Sequence, residues 1–337
     1  MTPPIRFAIV GCGHIGKRHA EMVKRHPEAE LVALCDTRSG SETGADQFGV
    51  PLFADMPTML REMPGIDVVN ICTPNGLHAK HSLLAHEARK HVVCEKPMAL
   101  SKAECEEVLY KALQVHRTVF GVMQNRYSPP SAWIKSVVDD KRLGDIFLVQ
   151  VNCYWNRDER YYKKGGWKGT KDLDGGTLFT QFSHFIDIMY WLFGDITDIQ
   201  AKFADFTHAG LTDLEDSGLV QFRFENGGMG CINYSTSVWD RNLESSMTII
   251  GSKGSVKIGG QYMDQVEVCH IKDYEMPALA PTNPANDYGA YKGSANNHSY
   301  IIENVVDTLK GRTTLTTNAL EGLKVVEIIE RIYKLKD

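Results

Sequence analysis

The stretch IRFAIVGCGHIGKRHAEM, residues 5–22, decides how the first part of this chain folds. An apolar run of strand type leads into the turn GCGHIG, and a helical pattern follows. In a G-x-G-x-x-G turn the first glycine permits a tight bend, the second lets the backbone approach a diphosphate, and the third lets the helix pack close to the strand. The N–H groups at the positive end of the helix then face the phosphates. We therefore predict a dinucleotide-binding turn made by Gly11, Gly13, His14, Ile15 and Gly16.

Two residues after the second predicted strand indicate which dinucleotide is bound. That strand covers residues 31–35, and Asp36 follows it directly, twenty residues after Gly16. A carboxylate there can accept hydrogen bonds from both ribose hydroxyls and would repel a 2′-phosphate, so it favours NAD over NADP. Arg38 keeps NADP open, because an arginine just past this strand can serve a 2′-phosphate or lie on the adenine.

Length, charge and cysteine usage narrow the class of protein. A chain of 337 residues is expected to form about two domains. The net charge of −5 argues against nucleic acid or an anionic membrane as the main partner. No apolar run reaches the roughly 18 residues of a membrane span, and a strand pattern begins too early to leave room for a signal peptide. The eight cysteines include no C-x-x-C pair, so we expect reduced thiols in a cytoplasmic protein.

The order of predicted elements changes near residue 124. Before it, strands and helices alternate regularly, which predicts a parallel sheet covered on both faces. After it, period-2 runs are separated by glycine-rich turns at residues 226–228 and 251–254, which indicate hairpins. We expect an α/β protein with a Rossmann domain over residues 1–123 and an α+β domain with an open, mostly antiparallel sheet over residues 124–337. Helices are expected at 41–48, 101–116, with a capping box at its start, and 176–193.

A lysine at the carboxyl end of a predicted strand is the first catalytic candidate. Ligands bind at the carboxyl ends of parallel strands, where Gly11, Asp36, Thr73 and Lys96 all fall. Pro97 restricts the backbone of Lys96. Oxidation of an alcohol needs a base, and burial together with a positively charged nicotinamide would lower the lysine pKa from its ordinary value of about 10.4. The alternative reading is a surface lysine paired with Glu95.

The predicted helix over residues 176–193 carries the second candidate. Thr180, His184, Asp187 and Trp191 would share one face of this helix. Asp187, three residues after His184, could orient the imidazole, which is the usual proton-transfer group near neutral pH. A packed structural histidine is equally compatible with the segment.

The third candidate is the loop over residues 157–174, which combines six basic and four acidic residues with tyrosines and a tryptophan. Such a mixture suits an anionic, ring-bearing ligand such as a sugar nucleotide or a sugar acid, although a solvated loop can have the same composition. A metal site is not predicted, because His78 and His81 share a helix face without a carboxylate or thiol at ligand spacing. No G-x-S-x-G elbow supports a hydrolase.

Taken together, these motifs resemble the glucose-fructose oxidoreductase/inositol dehydrogenase family (Gfo/Idh/MocA) over essentially the whole chain. The resemblance rests on the GCGHIG turn, Thr73-Pro74-Asn75 with His78, Glu95-Lys96-Pro97, and the glycine-pair helix with His184. It implies NAD(P)-dependent oxidation of a sugar or cyclitol hydroxyl, with Lys96 and His184 as the catalytic pair, and homodimers or homotetramers packed sheet to sheet. The residues it adds to the cofactor site are Thr73, Asn75, His78, Glu95 and Lys96.

One position departs from the family pattern and points to a subgroup. Many members have aspartate four residues before the histidine, and here that residue is Thr180. In the segments QNR at 124–126, WNR at 155–157 and WKG at 167–169, the sequence is similar to the bacterial UDP-N-acetylglucosaminuronate 3-dehydrogenases of surface-polysaccharide biosynthesis, which have a neutral residue in place of that aspartate. That resemblance implies a nucleotide-sugar substrate held by Lys96, Arg157, Tyr162, Lys168, Thr180 and His184. A dehydrogenase of a free sugar or inositol, and a non-catalytic NAD-binding sugar sensor, are the alternatives.

Overall fold

The computed structural model describes residues 3–289 and 291–336 and divides the chain into two compact units. The N-terminal unit contains the residues up to Met123 together with His298–Val326, and the C-terminal unit contains Gln124–Asn297 together with the residues from Glu327 onward. The strands are β1 (Ile5–Val10), β2 (Ala29–Cys35), β3 (Leu52–Phe53), β4 (Val68–Ile71), β5 (His91–Cys94), β6 (Val119–Gly121), β7 (Ile146–Tyr154), β8 (Ile196–Ala204), β9 (Ser217–Phe224), β10 (Met229–Ser235), β11 (Glu244–Gly251), β12 (Gly254–Gly259), β13 (Gln265–Ile271), β14 (Ala285–Asp287) and β15 (Lys292–Ala295). The helices are α1 (His14–Arg25), α2 (Gly40–Thr43), α3 (Met56–Glu62), α4 (His78–Glu87), α5 (Lys102–Gln114), α6 (Pro129–Asp139), α7 (Thr177–Thr180), α8 (Ser183–Phe193), α9 (His298–Leu309) and α10 (Ala319–Tyr333).

The N-terminal unit is a Rossmann fold, as predicted. Its strands pair in the order β3-β2-β1-β4-β5-β6, and every neighbouring pair is parallel. The central strand β4 is buried along its whole length, as expected for a sheet with helices on both faces. Ser101 caps α5, since its hydroxyl accepts from the Glu104 amide, and the Glu104 carboxylate accepts from the Ser101 hydroxyl and the Leu100 amide.

The C-terminal unit is built on a mixed, mostly antiparallel sheet with the order β13-β12-β11-β7-β10-β9-β8. Only the β7 and β10 pair is parallel among its described pairs. The two hairpins predicted from glycine turns are confirmed as β9–β10 and β11–β12. Helix α8 packs on one face, where the ring of Phe193 lies 5.4 Å from that of Phe224. The opposite face is the more exposed one, so the sheet is open as expected.

The predicted helix over residues 176–193 is wrong as a single element. Helix α7 ends at Thr180 and α8 begins at Ser183. Between them, Phe182 is fully buried and its ring packs against Trp155 and Tyr234, at centroid distances of 5.4 and 5.6 Å. Burial of this large ring outweighs the small gain from one more helical turn. The helix expected over 41–48 is likewise interrupted, because Gly44 adopts φ +72° between α2 and a 3₁₀ turn over Ala45–Phe48.

The division at the C-terminal end also differs from the expected boundaries. The N-terminal unit includes the residues up to Met123 and also residues 298–326, which the expected boundaries of 1–123 and 124–337 assign to the second domain. Helix α9 contacts α1, and just past α9 both Lys310 and Arg312 pair with Glu28. These contacts link positions more than 280 residues apart, so no local pattern could indicate them. Among the described residues, none of the helices has the length and apolar character needed to cross a membrane.

Candidate active site

The glycine turn after β1 has the geometry that its spacing predicts. Gly11 has φ +92°, and a Cβ at this position would lie 2.6 Å from the carbonyl oxygen of Cys72. A Cβ on Gly16 would lie 1.8 Å from the carbonyl oxygen of Gly11, so α1 can pack against the turn only without a side chain there. Both positions therefore require glycine.

The start of α1 offers backbone donors for a diphosphate. Gly13 is the N-cap residue and has no side chain with which to cap the first N–H groups. A Cβ on Gly13 would meet no described atom within 4 Å, whereas Gly11 and Gly16 are tightly enclosed. His14 and Ile15 open the helix, and His14 is exposed. This arrangement fits the diphosphate of a dinucleotide, because an anion at this end is favoured by the helix dipole and can approach the backbone.

Asp36 at the end of β2 is already organised by hydrogen bonds. Its Oδ2 accepts from the Cys12 amide at 2.7 Å, and its Oδ1 accepts from the backbone amide and Nε of Arg38 at 2.9 and 3.0 Å. Burial works against the charged carboxylate, but the hydrogen bonds from Arg38 and Cys12 outweigh it and lower the pKa of Asp36. The carboxylate is thus ionised and fixed beside the glycine turn, where it can accept hydrogen bonds from the ribose hydroxyls of NAD.

His78 links two loops of the N-terminal unit. Its Nε2 lies 2.8 Å from the carbonyl oxygen of Thr73, and its Nδ1 lies 2.6 Å from that of Pro97. Burial lowers the pKa of His78, and a neutral ring donates to one of these carbonyls at a time. Asn75 is buried at the start of a 3₁₀ turn between Thr73 and His78. The structure therefore places these residues around the loops that follow β4 and β5, as the family resemblance implies.

Glu95 lies in the interior of the N-terminal unit rather than at its surface. The Glu95 side chain is buried, with Oε1 2.9 Å from Nε2 of His19 and 3.5 Å from Nε2 of His298. Lys96 is half-buried directly after β5, and its peptide bond to Pro97 is cis. A buried carboxylate thus directly precedes Lys96 in the chain.

The proximity of His19, Glu95 and His298 has no signature in the sequence, because the three residues are far apart along the chain. One ligand-type atom from each lies within 4.8 Å of the others, which is close enough for a shared metal ion. The 2.9 Å separation of His19 Nε2 and Glu95 Oε1 is that of a hydrogen bond. The contacts therefore describe a hydrogen-bonded cluster.

In the C-terminal unit, His184 and Asp187 have partners that the helix pattern did not reveal. His184 is buried in the first turn of α8, with Nε2 3.3 Å from Nε2 of Gln124. Asp187 accepts from Nε and Nη2 of Arg126 at 2.8 and 2.6 Å. Asp187 and Arg126 thus form a bidentate pair, in which both side chains are only 1% exposed and Arg126 also lies over Trp191.

Thr180 donates to Asp174, at 2.5 Å to the carboxylate oxygen Oδ1 and 3.1 Å to the carbonyl. The other carboxylate oxygen of Asp174 accepts from the Gly169 amide. Thr180 therefore joins the end of the basic, aromatic loop to α7. The break after α7 also means that Thr180 and His184 do not share one continuous helix.

The loop over residues 157–174 combines a buried cluster of cations and aromatic rings with exposed segments at 159–160, 163–166 and 171–172. Arg157 is 3% exposed and its guanidinium carbon lies 4.7 to 5.2 Å from the ring centres of Trp155, Tyr161 and Tyr291. Lys168 Nζ lies 3.8 Å from the ring centre of Tyr161 and 3.0 Å from the hydroxyl of Tyr291.

Neutral oxygen atoms accept the hydrogen bonds of the Arg157 guanidinium. The Arg157 guanidinium donates to the carbonyl oxygens of Asn156 and Lys292 and to the side chain of Asn242. Burial lowers the pKa of Arg157 and raises that of Tyr161. A buried guanidinium bonded to neutral oxygens keeps an uncompensated charge, which is a physical reason for it to attract an anion. Tyr162 is also buried, with its ring edge-on to Tyr161 and His208.

Three residues of the candidate site in the C-terminal unit were not predicted. Gln124 and Arg126 lie in the 3₁₀ turn directly after the last Rossmann strand, a position whose sequence QNR contributed to the subgroup resemblance. That signal could have assigned them. Tyr291 lies far along the chain beside the β14–β15 hairpin, and no local sequence pattern indicates that it contacts Arg157.

Two models of known protein families match this chain. A sequence model described as the oxidoreductase family with an NAD-binding Rossmann fold, GFO_IDH_MocA, matches residues 5–122. The model of the GFO/IDH/MocA C-terminal domain matches residues 132–257. The predicted family resemblance, the oxidoreductase class and the NAD-binding domain are thereby confirmed.

Two solved structures are similar to the chain over almost its whole length. The WlbA dehydrogenase from Bordetella pertussis, in complex with NADH and UDP-GlcNAcA, is 30% identical with a TM-score of 0.88, covering 98% of this chain and 96% of its own. The WlbA dehydrogenase from Chromobacterium violaceum, in the same kind of complex, is 31% identical with a TM-score of 0.87, covering 99% and 96%. The D-glucoside 3-dehydrogenase of Escherichia coli strain K12 is 23% identical and covers 99% of this chain and 95% of its own.

Proposed function

The chain belongs to the Gfo/Idh/MocA oxidoreductase family, and on that premise we propose that it oxidises the 3-hydroxyl of a UDP-linked N-acetylhexosaminuronic acid with NAD as hydride acceptor. The observation that carries the proposal is the full-length similarity, at 30 and 31% identity, to two dehydrogenases crystallised with NADH and UDP-GlcNAcA. Surface-polysaccharide biosynthesis is the setting that the subgroup resemblance implies.

The N-terminal unit supplies the groups for the cofactor and the base. In the proposal, the α1 N-terminus holds the diphosphate and Asp36 accepts from the ribose hydroxyls, which favours NAD. Lys96 takes the proton of the substrate hydroxyl as the carbon–hydrogen bond breaks. NAD, when bound, accepts the hydride that leaves the same carbon.

The C-terminal unit supplies the groups for the substrate. His184 hydrogen-bonds the reacting hydroxyl, and the contact with Gln124 fixes its ring. Arg157 and Lys168 attract the anionic parts of a nucleotide sugar acid, because they are the cations of the aromatic cluster with Tyr161 and Tyr291. Tyr162 and Thr180 complete the proposed substrate site.

The rival activity is oxidation of an uncharged sugar. The D-glucoside 3-dehydrogenase similarity supports it, at a lower identity of 23%. An uncharged sugar would leave the charge of the buried Arg157 uncompensated, so the cation cluster favours the anionic substrate. A non-catalytic NAD-binding sensor would have no use for both Lys96 and His184.

We propose further that the open sheet face binds a second copy of the chain, giving a homodimer or homotetramer. Ile250, Leu148 and Met229 lie in register across three neighbouring strands, and Leu219 on β9 is 56% exposed. Exposed apolar side chains in a row on one face are typical of an interface. A cytoplasmic location is part of the same proposal, and is supported by eight free thiols.

The test of the proposed activity is a substrate panel with a matched variant. Wild-type protein and Lys96→Met are incubated with NAD, 2-oxoglutarate and either UDP-GlcNAcA, UDP-GlcNAc or a free glucoside, and the sugar is followed by mass. The 2-oxo acid is included because a tightly held NADH would otherwise stop turnover. We expect UDP-GlcNAcA to lose two hydrogens, with a rate about 10²- to 10⁴-fold lower in Lys96→Met and NADH still bound. Preferred oxidation of the glucoside, or an unchanged rate in Lys96→Met, would contradict the proposal.

A further inference from the structure

A buried carboxylate precedes the residue that the proposed function uses as its base. Glu95 is 5% exposed. Its Oε1 faces His19 Nε2 at 2.9 Å and His298 Nε2 at 3.5 Å, and its Oε2 accepts from the backbone amide of Lys96 at 3.2 Å. Both carboxylate oxygens therefore have partners, and one partner is the main chain of Lys96.

One imidazole, that of His19, is arranged to donate to this carboxylate, and the ring of His298 lies within ion-pair distance of it. Nδ1 of His19 lies 2.9 Å from the amide nitrogen of Asn70, and when that amide donates, the ring proton lies on Nε2 and points to Glu95. Burial lowers the pKa of His298, so this ring is neutral near pH 7 and can carry its proton on Nε2. The rings meet edge to face at 5.5 Å and both are 1% exposed.

These hydrogen bonds keep the carboxylate charged. Burial alone would raise the pKa of Glu95, but the bonds from His19 and His298 lower it well below its usual range. A fully buried anion held by two donors is costly to displace, because any movement would leave charge or a donor unsatisfied. Glu95 is consequently a rigid support.

The cluster also joins elements that are far apart in the sequence. His19 lies on α1, whose N-terminus forms the dinucleotide turn, and His298 is the first residue of α9. Glu95 follows β5 directly, and its own amide donates to the carbonyl of Ile71 on β4. The chain segment beginning at His298 thus belongs to the N-terminal unit and contacts Glu95, the residue before Lys96.

We propose that Glu95, fixed by His19 and His298, is a positioning residue that holds the backbone of Lys96 and thereby places its amine for proton transfer. The proposal rests on the proposed role of Lys96 as base. Glu95 touches neither substrate nor the reacting atoms in this account, and its effect passes through the Lys96 amide.

The first test is Glu95→Gln, which keeps the side-chain size but removes the charge. Because a small misplacement of a catalytic group can cost about 10²-fold in rate, we expect kcat to fall by about that factor while KM for the sugar and the NADH affinity stay within about twofold. Glu106→Gln, an exposed carboxylate on α5, is the matched control and should leave kcat unchanged. An unchanged kcat in Glu95→Gln would overturn the proposal.

The second test asks whether donation by His298 matters. His298→Gln retains an N–H donor and His298→Leu does not, so kcat is expected to be higher in the glutamine variant at equal thermal stability. Equal kcat values in the two variants would contradict a hydrogen-bonded support. Zinc retained in stoichiometric amount by wild-type protein and lost in Glu95→Gln would also overturn it, because the cluster would then be a metal site.

The third test needs no sugar and separates this proposal from the proposed function. Lys96 is acetylated with a limiting reagent, and peptide mass spectrometry gives its labelling rate relative to the exposed Lys80. We expect this ratio to change at least about threefold in Glu95→Gln. A changed ratio in a protein that oxidises no sugar would leave the positioning role standing while the proposed function fails, and an unchanged ratio in an active enzyme would reject the positioning role alone.

Discussion

At the scale of single residues, we propose that Asp36 determines the choice between NAD and NADP. Its carboxylate is held by the Cys12 amide and by Arg38, so it is ionised and oriented before a cofactor arrives. A pre-oriented anion should bind ribose hydroxyls strongly and repel a 2′-phosphate. The same pair places Arg38 where it becomes available once the carboxylate is removed.

We predict that Asp36→Ser weakens NAD binding by about 10- to 100-fold, because hydrogen bonds to a charged group contribute about 1.5–3 kcal/mol. The preference for NAD over NADP should shrink or reverse in the same variant. Fluorescence titration with NADH and NADPH measures both effects. Glu30→Gln, an exposed carboxylate on the same strand, is the control and should bind like wild type. An unaltered preference in Asp36→Ser would remove Asp36 from the cofactor site.

Strand-end positions were the part of the site that the sequence could predict. Asp36 and Lys96 each follow a strand of the parallel sheet, so periodicity and turn motifs were enough to select them. The partners of these residues were beyond prediction. Glu95 meets His19 from 76 positions away, and Asp187 meets Arg126 from 61 positions away, and no local pattern encodes such pairs.

At the scale of elements, the Arg126–Asp187 pair ties the turn after β6 to α8 and so supports the helix that carries His184. Removing either partner leaves a buried charge without compensation. We predict that Arg126→Met and Asp187→Leu each lower the free energy of unfolding by about 3–5 kcal/mol. The double variant should lose clearly less than the sum of the two.

Urea unfolding followed by circular dichroism measures these free energies. Arg160→Met breaks the exposed Arg160–Asp158 pair and is the control, with an expected loss below about 1 kcal/mol. Strictly additive losses in the double variant would show that the two side chains are not coupled.

Helix α4 contains a group that makes the stability of the N-terminal unit depend on pH. Burial lowers the pKa of His86 to about 4, while an unfolded histidine titrates near 6.5. Between these values the unfolded state binds more protons, so the stabilisation is complete above pH 6.5 and is lost as the pH falls towards 4.

We predict that His86 accounts for a loss of about 1–2 kcal/mol in the free energy of unfolding between pH 7 and pH 5. His86→Leu should unfold with a correspondingly smaller difference between these two pH values. Denaturant unfolding at each pH gives the comparison. A variant that keeps the whole wild-type difference would show that His86 is not the titrating group.

The break between α7 and α8 shows where element prediction fails. Residues 176–193 have an unbroken helical pattern, and only the burial of Phe182 against Trp155 and Tyr234 ends the first helix early. The tertiary packing of one ring outweighed the local helix propensity, and a sequence pattern carries no information about such packing.

At the scale of the whole molecule, alternation of strands and helices predicted the Rossmann fold, and period-2 runs with glycine turns predicted the antiparallel sheet, because both patterns reflect the burial of sheet faces. The membership of residues 298–326 in the N-terminal unit was not predictable, since it depends on the pairing of α9 with α1 and of Glu28 with Arg312.

The open face of the C-terminal sheet leads to a prediction about assembly. Leu219→Glu combined with Met229→Glu places two charges on this face, where the wild-type side chains are 56% and 48% exposed. We expect the wild type to be a dimer or tetramer and this variant to have a smaller mass by light scattering after gel filtration. Leu113→Glu, a 72% exposed position on α5, is the control and should keep the wild-type mass. An unchanged mass in the double variant would place any interface elsewhere.

The central claim is that a hydride leaves C3 of a UDP-linked uronic acid for NAD, and isotope transfer tests it most directly. Purified protein is mixed with NAD and UDP-GlcNAcA deuterated at C3, in a single turnover that is stopped with cold alkaline methanol, because reduced NAD decomposes in acid. Mass spectrometry of the cofactor then reports the origin of the transferred hydrogen. Our account predicts reduced NAD that is one mass unit heavier than that formed from unlabelled sugar, and no such product with Lys96→Met. Reduced NAD without deuterium would contradict transfer from C3, and no reduced NAD in a protein that binds both molecules would contradict the activity itself.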